Sequence, residues 1–96
     1  MAGLLRDKVA LITGASAGIG QACARALAGE GARLVLTARR ADRLEQLAAE
    51  ARQLGTYALF VAGDAREEET ARLSVGRAVG EFGRLDILIN NAGVGN

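Results

Sequence analysis

The chain of 96 residues has no histidine, no proline and no tryptophan, and it has one cysteine and one lysine. Cys23 therefore has no second cysteine for an internal disulfide and no histidine with which to share a metal ion. Metal sites built from cysteine and histidine are excluded. We expect Cys23 to be a small, buried, apolar residue of a helix.

Aromatic residues and excess charge are also scarce. The aromatic residues are Tyr57, Phe60 and Phe82, and the net charge is +1 from twelve basic and eleven acidic residues. Base-stacking platforms and a general attraction to nucleic acid or membranes are therefore not expected. No apolar run approaches the roughly 20 residues of a membrane span, and residues 6–8 are charged where a signal peptide would be apolar. The composition predicts one cytoplasmic globular domain that binds neither nucleic acid nor membrane.

What is present is a regular alternation of two hydrophobic patterns. Short apolar runs, typical of strands that are covered on both faces, lie at 8–13, 32–38, 56–64 and 85–90. Stretches with apolar residues at helical spacing lie between them, at 19–31, 41–55 and 66–83. Gly31 and Gly55 are predicted to end the first two helices.

The helical spacing also predicts which face each helix buries. In the first helix this face consists of Ile19, Cys23, Ala26 and Leu27. In the second it consists of Leu44, Leu47, Ala48, Ala51 and Leu54. In the third it consists of Ala71, Val75, Ala78, Val79 and Phe82. Gly76 and Gly80 each weaken the third helix by about 1 kcal/mol relative to alanine.

Strands that alternate with helices predict βαβ units and a parallel sheet. Because the crossovers are right-handed, the sheet is expected to be Rossmann-like, with four strands in the order 3-2-1-4 and three helices. The reversal of strand order opens a crevice between the carboxyl ends of strands one and four. Its walls are the loops "GASAGIG" and "NNAGVG". Strand four is left as an edge at 85–90, which could pair with another chain.

The first loop has the spacing Gly14-x-x-x-Gly18-x-Gly20. This is neither the Gly-x-Gly-x-x-Gly fingerprint nor a P-loop, since the only lysine is Lys8. Glycines nevertheless allow a sharp turn and close approach to a ligand, and free N–H groups at a helix start attract anions. The alternative interpretation is a tight strand-to-helix turn with no ligand.

The segments "VALITGASAGIG" and "LDILINNAG" together resemble the N-terminal half of a short-chain dehydrogenase/reductase, and the shared pattern covers essentially the whole chain. The resemblance implies that residues 1–96 form an NAD(P)-binding Rossmann half-domain that is incomplete relative to the family. The activity it implies is hydride transfer between a nicotinamide and a carbonyl or alcohol substrate.

The resemblance also implies roles for individual residues. Those expected at the pyrophosphate are Gly14, Ser16, Gly18, Ile19 and Gly20. Asp64 and Ala65 are expected at the adenine. Asn90, Ala92 and Gly93 are expected at the ribose. Thr13 would tie the two loops together, and Asp86 would support the sheet. Two alternatives remain open: Asp64 as a simple helix cap and Asn90 as a turn residue.

The choice of cofactor depends on the segment "LTARR". In nucleotide-binding folds an acid after strand two holds the ribose 2′-hydroxyl, whereas an arginine accommodates a 2′-phosphate. Ala38 stands where NAD-preferring members carry that acid, and Arg39 and Arg40 follow. Ala17 stands where many NADP-using relatives have a basic residue. We predict that NADP(H) is preferred and that NAD(H) is the alternative. The alternative interpretation is that the two arginines are simply part of the solvated surface.

The catalytic set of the family has no counterpart in these 96 residues. The family uses a tyrosine, a lysine four residues later and a serine, but Tyr57 is followed by Val61 at that spacing. The only lysine, Lys8, lies on the first predicted strand, and the serines are Ser16 and Ser74. We therefore assign no catalytic residue, and we expect the 96 residues alone to be inactive and to need a missing half for the substrate.

Three interpretations follow from the sequence. The first is the cofactor-binding half of an oxidoreductase whose catalytic half lies elsewhere. The second is a nucleotide-binding module without chemistry. The third is a non-catalytic fragment that associates, as a homo-oligomer or with another chain, through the strand at 85–90.

Overall fold

The computed structural model describes residues 3–15 and 18–91, in which four strands alternate with three helices. The strands are β1 (Val9–Thr13), β2 (Arg33–Ala38), β3 (Ala58–Ala62) and β4 (Ile87–Asn90). The helices are α1 (Gly18–Gly29), α2 (Ala41–Gln53) and α3 (Glu68–Phe82). The predicted alternation is confirmed. The elements are shorter than predicted, because residues at one or both ends of each predicted range form the connecting turns.

The four strands form one parallel sheet in the order β3-β2-β1-β4, which confirms the predicted topology. β1 lies in the interior of the sheet, where Ala10 pairs with Leu34 of β2 on one side and with Ile87 of β4 on the other. Among the described strands, β4 pairs only with β1 and so forms an edge.

One face of the sheet is covered by α1 and α2. Its core is built from alternate residues of the strands, such as Ile12 and Leu36, together with Leu44 and Leu47 of α2. All four side chains are at most 2% exposed. Burial of this apolar surface is the main force that holds the two helices against the sheet.

Within the described part of the chain, the other face is covered by α3, which packs on β1, β2 and β3. Val9, Leu11 and Val35 of the sheet meet Ala78 of the helix. Leu88 of β4 pairs with Leu11 and so points to this face, but it remains 61% exposed. The helix α3 therefore does not cover this face of the sheet as far as β4.

The predicted buried face of α1 is wrong in part. The helix buries Gly20, Ala24 and Ala28, whereas Ile19 is 69% exposed and Ala26 is exposed. Cys23 and Leu27 were predicted correctly to the extent that they are half-buried against the core. The apolar pattern favours large residues, but the smallest ones lie where the helix approaches the sheet.

The prediction for α3 is also wrong in part. This helix buries Thr70, Ser74 and Ala78, of which only Ala78 was predicted, and the predicted Phe82 is half-buried against the core. Val75 and Val79, predicted to be buried, are 41% and 50% exposed. They stand on the side of α3 that the four strands do not cover, as does the exposed Ala71. In α2 the prediction is correct for every residue except Leu54, which is 57% exposed and follows the last residue of the helix.

Two buried hydroxyl groups anchor α3 to the sheet. Ser74 donates a hydrogen bond to the carbonyl oxygen of Thr70 at 2.8 Å, and its own oxygen accepts one from Thr37 of β2 at 2.8 Å.

Within the described ranges, no helix has the length and apolar character to cross a membrane.

Candidate functional site

The carboxyl ends of β1 and β4 meet at the point where the strand order reverses. Thr13 pairs with Asn90 in the sheet register, and its hydroxyl donates a hydrogen bond to the Asn90 side-chain oxygen at 2.8 Å. The Thr13 oxygen in turn accepts a hydrogen bond from the backbone N–H of Asn91 at 2.9 Å. The loop after β4 is thereby attached to the last residue of β1.

Asn91 adds a second connection between the same loops. Its side-chain nitrogen donates to the carbonyl oxygen of Gly14, with 3.3 Å between the two atoms. The sequence predicted a role for Asn90 and none for Asn91. The signal available in the sequence was the asparagine pair itself, since an amide next to a glycine loop can satisfy a backbone carbonyl that the turn leaves unpaired.

The glycine turn takes a shape that requires glycine at two kinds of position. Gly14 and Gly18 have φ angles of 64° and 61°, in the left-handed region that side chains disfavour. Gly20 faces a different constraint, because a Cβ atom there would overlap the carbonyl oxygen of Gly14. The turn is also held to β2, since Ala15 donates its N–H to Thr37 O at 3.1 Å.

The start of α1 faces this turn. The first N–H groups of an α-helix have no partner inside the helix, and they carry the positive end of the helix dipole. Gly18 is exposed and Ile19 is 69% exposed, so backbone at the helix start is open to a ligand. Ser16, which the sequence analysis also assigned to this loop, lies outside the described residues, as do Ala92 and Gly93.

The end of β2 presents two exposed arginines with different partners. Arg40 holds Asp42 through two contacts, at 3.2 and 3.3 Å, and this guanidinium lowers the pKa of the Asp42 carboxyl. Arg39 reaches Asp64 at the end of β3, but at 3.9 Å, and its side chain is 66% exposed. Arg39 is therefore less committed to protein partners than Arg40.

Asp64 lies in the turn after β3, where Gly63 donates its N–H to Ala38 O at 2.8 Å and so keeps the two strand ends together. The Asp64 carboxylate accepts two hydrogen bonds from the Arg66 guanidinium, at 2.8 and 3.0 Å, and one from the Arg66 backbone N–H at 2.9 Å. The Arg66 side chain, followed by its backbone N–H, holds the pKa of Asp64 well below its usual range.

Asp64 does not cap α3. The N-cap residue of that helix is Glu67, which makes no side-chain capping bond. The Asp64 carboxylate instead closes a local turn with Arg66, two residues later. Arg66 is a residue that the sequence analysis missed, and the signal for it was the Asp-x-Arg spacing, which suits a turn of this kind.

Asp86 lies at the opposite end of the sheet. It accepts a hydrogen bond from the Val9 N–H at 2.9 Å, and its own N–H donates to Val9 O at 2.9 Å, so it joins the starts of β1 and β4. The guanidinium of Arg84 and this backbone bond lower the pKa of its carboxyl. The contacts agree with the supporting role expected from the sequence.

Among the residues that the structure describes, the residue types of the family's catalytic set lie away from the crevice. Lys8 and Tyr57 precede β1 and β3 and so lie at the amino ends of the strands, with Tyr57 64% exposed. Ser74 is buried beneath α3 and hydrogen-bonded to Thr37. Among the described residues, therefore, tyrosine, lysine and serine are not brought together.

Comparison with known proteins agrees with this geometry. The family model for short chain dehydrogenases matches residues 8–96. An 11-beta-hydroxysteroid dehydrogenase-like protein of Arabidopsis thaliana is 49% identical over 88 residues, which are 91% of this chain and 29% of that protein.

Two solved structures are also similar. L-sorbose reductase from Gluconobacter frateurii, in complex with NADPH and L-sorbose, is 43% identical with a TM-score of 0.90; the match covers all of this chain and 37% of that one. An alcohol dehydrogenase from Thermococcus sibiricus, complexed with 5-hydroxy-NADP, is 43% identical with a TM-score of 0.79, over 84% of this chain and 35% of that one. The chain thus spans about a third of the length of these relatives. With a family match over nearly its whole length and the strand order and paired loops described above, the chain belongs to the short-chain dehydrogenase/reductase family.

Proposed function

We propose that this chain is the NADP(H)-binding part of an oxidoreductase that transfers hydride between the nicotinamide and a carbonyl or alcohol substrate. The observation that carries the proposal is the attachment of the glycine turn to the asparagine loop by Thr13, Asn90 and Asn91 at the reversal of strand order. In open α/β sheets, ligands bind outside the carboxyl ends of the strands at such a point.

The glycine turn fits a pyrophosphate. Gly18 is exposed, so the backbone at the start of α1 is accessible, whereas Gly20 is buried. A Cβ at Gly20 would overlap the carbonyl oxygen of Gly14, so the start of the helix lies close against the turn. We assign to the pyrophosphate the five residues Gly14, Ser16, Gly18, Ile19 and Gly20. The helix N–H groups would supply hydrogen bonds to its oxygens.

The remaining assignments follow the crevice outward. Asp64 and Ala65, which follow β3, would contact the adenine, and Asn90, with Ala92 and Gly93, would border the ribose. The hydrogen bond from Thr13 to Asn90 supports the last assignment, because it fixes the Asn90 side chain at the mouth of the crevice.

The preference for NADP(H) rests on Ala38, Arg39 and Arg40. Ala38 offers no carboxylate to a ribose 2′-hydroxyl, and Arg39 is the arginine of the pair that is less engaged by protein carboxylates. A guanidinium pairs well with phosphate oxygens. The similar reductase and alcohol dehydrogenase structures contain NADPH and 5-hydroxy-NADP, which supports the same preference. NAD(H) is the alternative cofactor.

The bound cofactor would supply the hydride, and residues of this chain would bind and orient the cofactor. Hydride transfer to a carbonyl also needs a proton donor near the reacting oxygen. Tyr57, Lys8 and Ser74 do not meet that need, because they lie away from the crevice. We therefore propose that residues 1–96 are the dinucleotide-binding half-domain of a longer reductase and are inactive alone.

Calorimetric titration of NADPH and NADH into the 96-residue chain tests the proposal. Saturable binding of one molecule per chain, tighter for NADPH, is the expected result. Absence of saturable binding for both nucleotides would contradict it.

A structural fragment that associates through β4 is the second candidate, because among the described strands β4 pairs only with β1, and Leu88 is 61% exposed. Sedimentation equilibrium distinguishes the two. Self-association without nucleotide binding would favour the fragment, whereas nucleotide binding by the monomer would favour the cofactor-binding half.

A further inference from the structure

Asp64 lies between two arginines that come from different segments. Its Oδ2 atom is 2.8 Å from Nη2 of Arg66 and 3.9 Å from Nη2 of Arg39. The carboxylate is 25% exposed, and the two guanidinium groups are 62% and 66% exposed. Both guanidinium groups thus approach the same carboxylate oxygen of Asp64.

The two contacts differ in quality. Arg66 makes two side-chain hydrogen bonds to Asp64, from Nε and Nη2, and adds its own backbone N–H. Such bidentate, charge-assisted geometry is the strong form of this interaction. The Arg39 contact, at 3.9 Å, is beyond hydrogen-bond distance. Arg66 is therefore the main cationic partner of Asp64.

From this geometry we infer that Arg66 is a positioning residue for cofactor choice: by occupying the Asp64 carboxylate, it keeps Arg39 available for the 2′-phosphate of NADP(H). The inference rests on the proposed function, in which Arg39 meets that phosphate. Without Arg66, the cation nearest to Asp64 is Arg39, and the carboxylate competes with the phosphate for it. NADH has no 2′-phosphate, so its binding does not depend on this competition.

The test compares the dissociation constants of NADPH and NADH for the 96-residue chain and its Arg66→Ala variant by calorimetry. Arg66→Ala is expected to lower the preference for NADPH over NADH by about three- to fivefold, the size of effect that an exposed ion pair usually has. Arg72→Ala is the matched control, because Arg72 is also an exposed arginine paired with a carboxylate, that of Glu69 at 3.4 Å. It should leave the preference unchanged.

A second experiment, in the Asp64→Asn variant, separates a positioning role of Arg66 from the simple loss of its positive charge. In Asp64→Asn the side chain at position 64 is neutral and does not compete for Arg39. Arg66→Ala introduced into Asp64→Asn should therefore change the preference by less than about twofold. An equal drop in both backgrounds would overturn the inference, because Arg66 would then act through its own charge.

The outcomes also separate this inference from the proposed function. If the unsubstituted chain binds neither nucleotide, both are overturned. If it binds NADPH more tightly than NADH and Arg66→Ala keeps the same preference, the proposed function stands and the inference about Arg66 is wrong. Far-ultraviolet circular dichroism of each variant verifies that the fold is retained.

Discussion

The hydroxyl of Thr13, the last residue of β1, donates a hydrogen bond to the side-chain oxygen of Asn90, the last residue of β4, with 2.8 Å between the oxygens. The two residues are 77 positions apart in the chain. A single side chain therefore connects the strand that precedes the glycine turn with the strand that precedes the asparagine loop. We expect the shape of the crevice between the two loops to depend on this contact.

Thr13→Val should test that dependence. The substitution removes the donor to Asn90 and the acceptor for the Asn91 N–H, so we expect the free energy of unfolding to fall by about 1–2 kcal/mol. The binding of NADPH and of NADH should weaken together, because the asparagine loop is proposed to contact the ribose, which both cofactors contain. Urea unfolding and calorimetry provide the two measurements.

Thr56→Val is the matched control for that change. The Thr56 hydroxyl donates to Ala32 O at 2.6 Å, and it lies before β3, at the end of the sheet opposite to the crevice. Its loss should lower stability by a similar amount and leave nucleotide binding unchanged. Equal loss of binding in both variants would contradict a specific role for Thr13.

Gly20→Ala should distort the glycine turn. The added Cβ would overlap Gly14 O and would be 3.0 Å from the side-chain nitrogen of Asn91. Forced packing of this kind typically costs about 1–3 kcal/mol. Gly76→Ala, within α3 and with no neighbouring atom within 4 Å of the new Cβ, should instead raise stability by about 1 kcal/mol. Thermal unfolding compares them, and equal effects would contradict the close approach at Gly20.

Arg39→Asp should reverse the cofactor preference. Replacing the less engaged arginine by a carboxylate removes a phosphate partner and adds an acceptor for a ribose hydroxyl. We expect NADPH binding to weaken by roughly tenfold or more. Arg40→Asp is the comparison, since Arg40 is paired with Asp42, and its effect should be smaller. Unchanged affinities for NADPH and NADH in Arg39→Asp would refute the assignment.

The buried hydroxyl pair beneath α3 should behave as a coupled unit. Ser74→Ala leaves the Thr37 hydroxyl, 0% exposed, without its acceptor, and should cost about 1–3 kcal/mol. Thr37→Val together with Ser74→Ala removes both polar groups and should be less destabilising than the sum of the single changes. Urea unfolding of the four proteins measures the coupling. Strict additivity would mean that the hydroxyls do not interact.

Acid should destabilise the chain through Asp64 and Asp86. Arginine and backbone hydrogen bonds lower both carboxyl pKa values in the folded chain relative to the ordinary value of 3.8. A lowered folded pKa gives stability that is present above the unfolded value and is lost as pH falls through the folded value. Stability should therefore decline below about pH 5.

Asp86→Asn isolates one of these contributions. It should flatten the decline of stability with acid, while Glu45→Gln, on the exposed side of α2, controls for the removal of one negative charge. Urea midpoints measured between pH 3 and pH 7 make the comparison. If the slope for Asp86→Asn matched that of the unsubstituted chain, the ion pair with Arg84 would not contribute.

The sequence alone was sufficient for the architecture. Alternating strand and helix patterns, together with the right-handed crossover rule, predicted the order β3-β2-β1-β4, because these constraints leave few other arrangements. The same reasoning brought the glycine turn and the asparagine loop to one end of the sheet. Both conclusions depend on local pattern and chain connectivity, which are properties of sequence.

Tertiary structure alone decided which side chains meet. Gly20, Ala24 and Ala28 are the buried residues of α1, whereas the hydrophobic pattern favoured larger side chains such as Ile19. The contacts of Asn91 with Gly14 and of Asp64 with Arg39 join different turns. Which of several arginines a carboxylate binds depends on distances of a few ångströms, and those distances exist only once the sheet has brought the turns together.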